Sequence, residues 1–269
     1  MSESVIVLYD IPSMREPRAW SYNIWKIRLL LNYKGIPYRT EWVSYPDIEP
    51  TFKEMNIPML KLREDGRTPL YTCPAIIDYI ADPNGIRLVD STIIAHYLDE
   101  TYASEKYGPT LFPEGTRAAQ FAFIDDLERG DGLRGCVRNL IMASVPEALD
   151  PRGAAYFRQA REKAFSKPIT EVCCEGSVER KEAWDGLKSS LDSVATAYDA
   201  NRDGEGRFLI GTGVTYADMY LISILMWMRS VPSDRDGPDA KSGWDILRTL
   251  NEGRWQRMMD SFDNYFQVK

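Results

Sequence analysis

The side chains that could do chemistry fall in three short polar segments of the first part of the chain. Ser21 precedes a helical pattern, Cys73-Pro74 leads into an apolar run, and Asp90-Ser91 opens another helical pattern. A serine hydroxyl at a helix N-terminus can stabilise a thiolate or another anion, because the helix dipole is positive there. Asp90 beside Ser91 can hold an ammonium group, so this pair suits the zwitterionic end of an amino acid. Taken alone, each serine segment is more simply interpreted as an ordinary helix cap.

The Cys73-Pro74 pair has two interpretations. A proline at the entrance to a buried strand removes a ladder hydrogen bond, and it is tolerated where the bond is cis and the chain turns sharply. A cis bond predicts that the backbone groups of Cys73 face outward, where they can pair with an extended peptide. The alternative is a simple edge-strand start, and spacing alone does not choose between the two.

The histidine and cysteine content narrows the possible chemistry. His96 is the single histidine, which excludes a metal site built on several histidines and leaves little room for a histidine-based triad. The four cysteines, at positions 73, 136, 173 and 174, form no CxxC pair and no disulfide framework. We therefore expect no metal, and we expect an enzyme of this composition to use a nucleophile that its substrate brings.

Charge and hydropathy limit the partners. Lys and Arg number 33 and Asp and Glu number 40, which gives a net charge of −7, so neither nucleic acid nor an anionic membrane is expected as a partner. The longest apolar stretch, Met219–Met228, is about half a membrane span. No secretory signal is visible, and a reducing, cytoplasmic location is expected. The acidic run Asp234–Asp239 lacks the spacing of a calcium loop.

Residues 1–105 alternate between strand and helix patterns, which predicts an α/β domain of the order βαβ-α-ββα with a mixed sheet. Met59–Thr72 is polar and marked by Gly and Pro, and is predicted to be a loop. The predicted strands are Ser4–Ile11, Pro37–Val43, Ala75–Ile80 and Ile86–Val89. The predicted helices are Ser21–Lys34, Pro46–Asn56 and Asp90–Tyr102.

Residues 106–115 contain Gly and Pro and are predicted to be a linker. Residues 116–269 show helical patterns only, which predicts a second, all-α domain. The predicted helices are Thr116–Ser144, Pro151–Phe165, Val178–Asn201, Thr215–Met228 and Gly253–Gln267.

These motifs, in this order, resemble the cytosolic glutathione transferases. Cys73-Pro74-Ala75-Ile76 is similar to the family's Val-Pro-Ala-Leu segment with its cis-proline, and residues 90–94 are similar to its Glu/Asp-Ser-x-x-Ile segment. Residues 213–218 resemble the buried capping box of the family's helical domain, formed here by Thr215 and Asp218. The resemblance implies a thioredoxin-like first domain with a four-stranded sheet, and a helical domain that shapes a hydrophobic substrate pocket.

A subgroup is suggested by four further segments, which resemble the fungal A-class transferases related to bacterial β-etherases. These segments are residues 19–26, 32–35, 41–48 and 156–162. The catalytic residue of that subgroup is a serine, which corresponds to Ser21. The subgroup commonly has proline after that serine, whereas this chain has Tyr22. Because tyrosine activates the thiol in other transferase classes, Tyr22 is kept as the alternative donor.

The resemblance also implies how glutathione would be held. Ser21 would donate to the sulfur, the Thr72-Cys73-Pro74 segment would pair with the cysteinyl amide, and Asp90 and Ser91 would hold the γ-glutamyl end. Asn23 faces either the thiol or solvent. The glycyl carboxylate requires a donor from residues 53–72, where Lys61 is one candidate and the sequence does not separate it from the others, which are Lys53, Arg63 and Arg67.

The implied activity is conjugation of glutathione to hydrophobic, aromatic electrophiles in detoxification, by a homodimer. Two alternatives stay open. One is glutathione-dependent β-etherase or thiolase-type cleavage, and the other is a non-catalytic ligandin that binds aromatic plant-derived compounds.

Overall fold

A computed structural model describes residues 4–201, 207–231 and 243–269 of the 269-residue chain, so the Asp234–Asp239 segment lies outside the described residues. The chain divides into two compact units. The first comprises Met1–Thr110, Leu149–Tyr156 and Tyr265–Lys269, and the second comprises Leu111–Ala148 and Phe157–Asn264.

The first unit is built on a four-stranded mixed sheet in the order β2-β1-β5-β6. Strand β1 is parallel to β2 and antiparallel to β5, and β5 is antiparallel to β6. The predicted βαβ-α-ββα order and mixed sheet are thus confirmed. The elements are β1 Ile6–Asp10, α1 Tyr22–Tyr33, β2 Tyr38–Trp42, α2 Ile48–Glu54, β3 Lys61–Leu62, β4 Pro69–Leu70, β5 Ala75–Asp78, β6 Ile86–Val89 and α3 Ser91–Thr101.

The prediction that Met59–Thr72 is a loop is wrong in part, because this segment contains a short hairpin. Strands β3 and β4 pair antiparallel and are two residues long, too short to leave a periodic pattern in the sequence. Asp65 orders the turn: its carboxylate accepts the Arg67 and Thr68 amides at 2.9 and 2.8 Å and the Thr68 hydroxyl at 2.5 Å. The Thr68 hydroxyl and these amides lower the pKa of Asp65 to about 2.

A buried ion pair joins β1 to α1. Arg28 donates to the Asp10 carboxylate at 2.6 Å, and both side chains are at most 1% exposed. Arg28 also donates to Tyr38 and Thr40 of β2 at 3.3 and 3.0 Å. Burial raises the pKa of Asp10, and the neighbouring guanidinium opposes that rise. The pair fixes α1, and therefore Ser21 before it, against the sheet.

Residues 265–269 belong to the first unit although they lie far along the chain. The Asn32 amide group donates to the carbonyls of Tyr265 and Gln267 at 2.7 and 2.8 Å. The Thr40 backbone amide donates to the Lys269 carbonyl at 2.8 Å. This segment therefore lies against both α1 and β2, and satisfies polar groups on each.

In the described part of the second unit every regular element is helical, as predicted. Helix α7 also contributes its residues up to Tyr156 to the first unit. Across residues 4–201, 207–231 and 243–269, no helix combines the length and the apolar character needed to cross a bilayer. The helices are α4 Arg117–Glu128, α5 Leu133–Ile141, α6 Val145–Ala148, α7 Pro151–Phe165, α8 Val178–Asp199, α9 Tyr216–Ser230, α10 Gly243–Leu247 and α11 Leu250–Asp260.

The single helix predicted over residues 116–144 is in fact two, because the chain turns between Glu128 and Leu133. Backbone atoms approach closely at this turn. A Cβ atom at Gly132 would lie 2.4 Å from the Asp126 carbonyl oxygen, and one at Gly135 would lie 2.0 Å from that of Gly130. The turn therefore requires glycine at both positions.

Helix α9 is the centre of the second unit and begins with a buried capping arrangement. The Asp218 carboxylate accepts the Thr215 amide at 2.7 Å and the Thr215 hydroxyl at 2.6 Å. It also accepts the Leu209 amide at 2.9 Å and the Tyr198 hydroxyl at 2.7 Å. The predicted pairing of Thr215 with Asp218 is confirmed, and its role is structural.

Candidate functional site

The sheet register brings two of the three polar segments to one edge. Ala75, the first residue of β5, lies opposite Tyr9 near the end of β1 and opposite Val89 at the end of β6. Adjacent strands are about 4.8 Å apart. Cys73-Pro74, directly before β5, and Asp90, directly after β6, therefore lie at the same edge of the sheet as the end of β1.

The third segment is returned to this edge by the loop between β1 and α1. Pro12 and Ala19 form an antiparallel bridge, and the Ser13 amide donates to the Arg18 carbonyl at 2.8 Å. The Trp25 indole then donates to the Ala19 carbonyl at 3.2 Å, which fastens the loop to α1. The loop thus folds back on itself and brings Ser21 close to the point where β1 ends.

Ser21 is the N-cap residue of α1, but its side chain does not cap the helix. Its carbonyl accepts the amides of Ile24 and Trp25 at 3.1 and 3.0 Å. Its half-buried hydroxyl makes no hydrogen bond to the described residues. The hydroxyl is therefore available to a ligand, at the positive end of the helix dipole.

Asn23 and Tyr22 both contact a buried cation. Lys26 is 2% exposed, and its Nζ donates to the Asn23 Oδ1 at 2.9 Å. The same Nζ lies 4.5 Å from the centroid of the Tyr22 ring. Because an ammonium group can only donate, it fixes Oδ1 toward Lys26 and leaves the Asn23 NH₂ group as the outward donor.

The Cys73-Pro74 peptide bond is cis, as predicted. The Thr72 hydroxyl donates to the Cys73 carbonyl at 3.2 Å. Among the described residues, no backbone group bonds to the Cys73 amide or carbonyl. The Cys73 side chain is buried, and this burial, together with the Asp10 carboxylate, raises the pKa of its thiol well above the usual value. The segment therefore offers its backbone rather than its thiol.

Asp90 fulfils the cap interpretation and still keeps one oxygen for another contact. Its backbone adopts a positive φ of 74°, and its Oδ1 accepts the amides of Thr92 and Ile93 at 2.8 and 3.2 Å. Neither its Oδ2 nor the Ser91 hydroxyl bonds to any other described residue. Both residues are half-buried, so consecutive residues at the sheet edge offer a carboxylate oxygen and a hydroxyl.

The four candidate cations between residues 53 and 72 differ in their surroundings. Lys53 pairs with Glu49 at 2.7 Å and lies 5.8 Å from the Tyr71 ring centroid. Lys61 is exposed in β3, and Arg63 and Arg67 are exposed in the turn between β3 and β4. Of the four, Lys53 is thus the one already held by a carboxylate.

The sequence reasoning missed Asp10, Arg28 and Lys26. A signal for each was present, since Asp10 ends an otherwise apolar strand and both cations interrupt the apolar pattern of α1. A charged residue at a position that the pattern assigns to the core must find a buried partner. The described residues also contain no group of three or more His, Cys, Asp or Glu side chains that could hold a metal ion.

Comparison with known proteins gives consistent matches over both units. Residues 20–101 match the family domain described as glutathione S-transferase, N-terminal domain, and residues 118–265 match glutathione S-transferase, C-terminal domain. The glutathione S-transferase-like protein ustS of Aspergillus flavus is 35% identical over 233 residues, which cover 84% of this chain and 80% of that protein.

Two solved structures are similar over nearly the whole chain. Glutathione transferase GSTFuA3 from Phanerochaete chrysosporium is 37% identical, with a TM-score of 0.86 and 98% of both chains covered. The glutathione S-transferase CsGST63524 of Ceriporiopsis subvermispora, solved in complex with glutathione, is 33% identical, with a TM-score of 0.85 and coverage of 98% of this chain and 99% of that one.

Proposed function

Because the chain belongs to the glutathione S-transferase family, we propose that it activates the glutathione thiol at Ser21 for attack on hydrophobic, aromatic electrophiles, in detoxification. Members of this family use glutathione as their co-substrate. The observation that carries the proposal is the uncommitted Ser21 hydroxyl at the start of α1, beside a sheet edge that carries a free peptide group and a free carboxylate oxygen.

The Ser21 hydroxyl acts by favouring the thiolate over the thiol. An unperturbed thiol has a pKa of about 8.5, so most of it is protonated at neutral pH. A hydroxyl donor and the N-terminus of α1 both stabilise the negative charge, and each pKa unit of lowering corresponds to about 1.4 kcal/mol. Tyr22 remains the alternative donor, although its ring already contacts Lys26.

The remaining roles follow from the groups at the sheet edge. The Cys73 amide and carbonyl, next to Pro74 and Thr72, would pair with the cysteinyl amide of glutathione. Asp90 Oδ2 would accept from the γ-glutamyl ammonium, while the Ser91 hydroxyl would donate to its carboxylate. Lys61 is our choice for the glycyl carboxylate: Lys53 is held by Glu49, and Arg63 and Arg67 lie in the turn beyond β3.

An aromatic electrophile suits the exposed aromatic surface of the first unit. Tyr45 and Tyr156 stack with ring centroids 6.1 Å apart, and Tyr156 is 40% exposed. A flat, apolar reactant gains most from such rings. We also propose a cytoplasmic homodimer: the cysteines are free, as in a reducing compartment, and the hairpin leaves the apolar side chains of Met59 and Leu62 exposed.

The two alternatives from the sequence, ether cleavage and ligand binding without turnover, are not favoured by the comparisons. A direct assay separates all three functions. The protein is expected to conjugate glutathione to a chlorodinitrobenzene and to be stabilised against heat by glutathione. Release of a phenol from a β-aryl ether, without conjugation of the chlorodinitrobenzene, would favour ether cleavage. Tight binding of aromatic compounds, with conjugation at the background rate, would favour the ligandin.

Absence of any thermal shift with glutathione would contradict both glutathione-dependent functions, conjugation and ether cleavage.

Lys26 gives a sharper prediction about the thiol. Replacing Lys26 with methionine is expected to lower kcat/KM for conjugation about 3- to 10-fold at pH 6.5 and less at pH 9. Without the ammonium group, the Asn23 amide is no longer held with its NH₂ outward, and a nearby positive charge is lost, so the thiol pKa in the complex rises. The measurement is the acidic limb of kcat/KM against pH.

Two comparisons test the orientation argument. Lys106→Met removes an exposed lysine with a similar ring contact, at 4.7 Å from Tyr107, and is expected to leave the pH profile unchanged. Asn23→Asp keeps an acceptor for Lys26 but presents a carboxylate to the thiolate, so it should reduce activity more than Asn23→Ala. An unshifted acidic limb in Lys26→Met, or equal activities of the two Asn23 variants, would refute this role.

A further inference from the structure

A cavity of about 420 Å³ lies within the second unit, at the end of α8 and along α11. Its volume falls in the range of about 300–1,000 Å³ that is typical of small-molecule sites. Buried Tyr198 and Trp255 close its base, and Phe208 and Met258 add apolar surface. None of these residues belongs to the glutathione site proposed above.

The cavity is unusual for its charge. Three of the described lining residues are arginines, Arg207, Arg254 and Arg257, and none of the lining residues within 4–201, 207–231 and 243–269 is acidic. The carboxylate of Asp199, which is not a lining residue, pairs with Arg254. Although the net charge of the chain is −7, its described residues thus place three guanidinium groups at one partly apolar cavity.

Two of these guanidinium groups are held in place by the surrounding structure. Arg254 donates to the Ala195 carbonyl at 3.0 Å as well as to Asp199. Arg257 donates to the Glu252 carbonyl at 2.7 Å. A guanidinium carries five N–H donors, so these contacts fix each group and leave donors for a ligand.

The carbonyl that holds Arg257 belongs to a left-handed turn near the start of α11, where three residues depart from helical geometry. Asn251, Glu252 and Gly253 have φ values of 48°, 58° and 75°. The Asn251 side chain fastens this turn: it accepts the Trp255 indole N–H at 2.8 Å and donates to Asp192 at 2.7 Å. The cavity wall is therefore cross-linked to both α8 and α11 and is formed before any ligand arrives.

We propose that this cavity binds an aromatic carboxylate. The carboxylate suits the fork of an arginine, which can donate two parallel hydrogen bonds to it. The ring suits the Phe208 side chain, the Met258 thioether and the flat faces of the guanidinium groups. A neutral aromatic would make no use of the remaining N–H donors of Arg254 and Arg257, and a small inorganic anion would leave the apolar surface uncovered.

Calorimetric titration with 1-naphthoate tests this site, with the protein saturated by S-hexylglutathione so that the glutathione site is occupied. We expect one naphthoate per chain, and at least tenfold weaker binding of the neutral 1-naphthamide. Arg257→Met is expected to weaken naphthoate binding about tenfold or more, and Arg257→Lys to weaken it less. Arg248→Met, which removes an exposed arginine paired with Asp245, is the matched control and should bind as the wild type does.

Three results would overturn the proposal: no binding heat, equal affinity in Arg257→Met, or displacement of naphthoate by S-hexylglutathione. Melting temperatures show whether each variant is folded, and Arg207→Met, at an exposed position, replaces Arg257→Met if that variant does not fold. If S-hexylglutathione itself does not bind, the proposed transferase function fails, while the naphthoate titrations of the free protein still decide the cavity.

Discussion

Replacing Ser21 with alanine is expected to lower kcat/KM for glutathione conjugation about 10- to 100-fold at pH 6.5. A hydrogen bond to a charged group contributes about 1.5–3 kcal/mol, which corresponds to about one to two pKa units of the thiol. The variant should therefore bind a glutathione whose thiol pKa is higher by that amount. Because the Ser21 hydroxyl does not cap α1, its loss should leave the stability of the protein nearly unchanged.

The sign of the pH dependence distinguishes this role from a loss of binding. Below both thiol pKa values the variant carries the full deficit, and as the pH rises above the higher pKa the deficit disappears. The measurement is kcat/KM for the electrophile at saturating glutathione, between pH 5.5 and about 9.5, together with direct titration of the bound thiolate. Ser91→Ala is the informative comparison, since it should raise KM for glutathione without moving the profile.

Tyr22→Phe decides between the two candidate donors. If Ser21 is the donor, Tyr22→Phe keeps the wild-type profile. A profile that shifts in Tyr22→Phe and stays unchanged in Ser21→Ala would transfer the role to tyrosine. Full activity of Ser21→Ala over the whole pH range would remove Ser21 from the mechanism.

Replacing Asp218 with alanine is expected to lower the free energy of unfolding by about 3–5 kcal/mol, a loss well above that of most single substitutions. The change leaves the Thr215 and Leu209 amides and the Tyr198 hydroxyl without their acceptor. Each buried polar group left unsatisfied costs about 1–3 kcal/mol, and partial rearrangement makes the total smaller than the sum.

Urea denaturation of the wild type and the variant measures this loss. Asp125→Ala, on the exposed surface of α4, is the matched control and should change stability by about 0.5 kcal/mol or less. Asp218→Asn keeps one acceptor oxygen and should fall between the alanine variant and the wild type. A loss below about 1 kcal/mol in Asp218→Ala would mean that water replaces the carboxylate.

The sequence was most informative where local pattern and fold agree. The apolar strands around residues 6–10 and 75–78 and the periodic helices predicted the order of the elements, and Thr215 with Asp218 predicted the cap of α9. The sequence did not predict the hairpin of β3 and β4, because two-residue strands have no hydrophobic period. It did not predict the break after Glu128, because that break depends on close backbone approaches at glycines. The ion pair of Asp10 and Arg28 escaped because partners 18 residues apart are joined only by the fold.

The site itself was predictable as a set of segments, and less so as a set of roles. Ser21, Cys73-Pro74 and Asp90-Ser91 were selected by their positions relative to helices and strands, and the register of the sheet explains why segments distant in sequence share an edge. That the Ser21 hydroxyl is free whereas the Asp90 carboxylate caps a helix depends on side-chain geometry, which no spacing rule contains.

The placement of residues 265–269 in the first unit bears on how this protein can be recombined. A chimera that joined residues 1–110 to another protein's helices would separate Asn32 and Thr40 from the carbonyl groups of Tyr265, Gln267 and Lys269. The thioredoxin-like unit cannot be exchanged by cutting the chain at one point, because it is assembled from three separate segments. Exchange of domains between relatives preserves the packing of the first unit only when residues 265–269 are transferred together with residues 1–110.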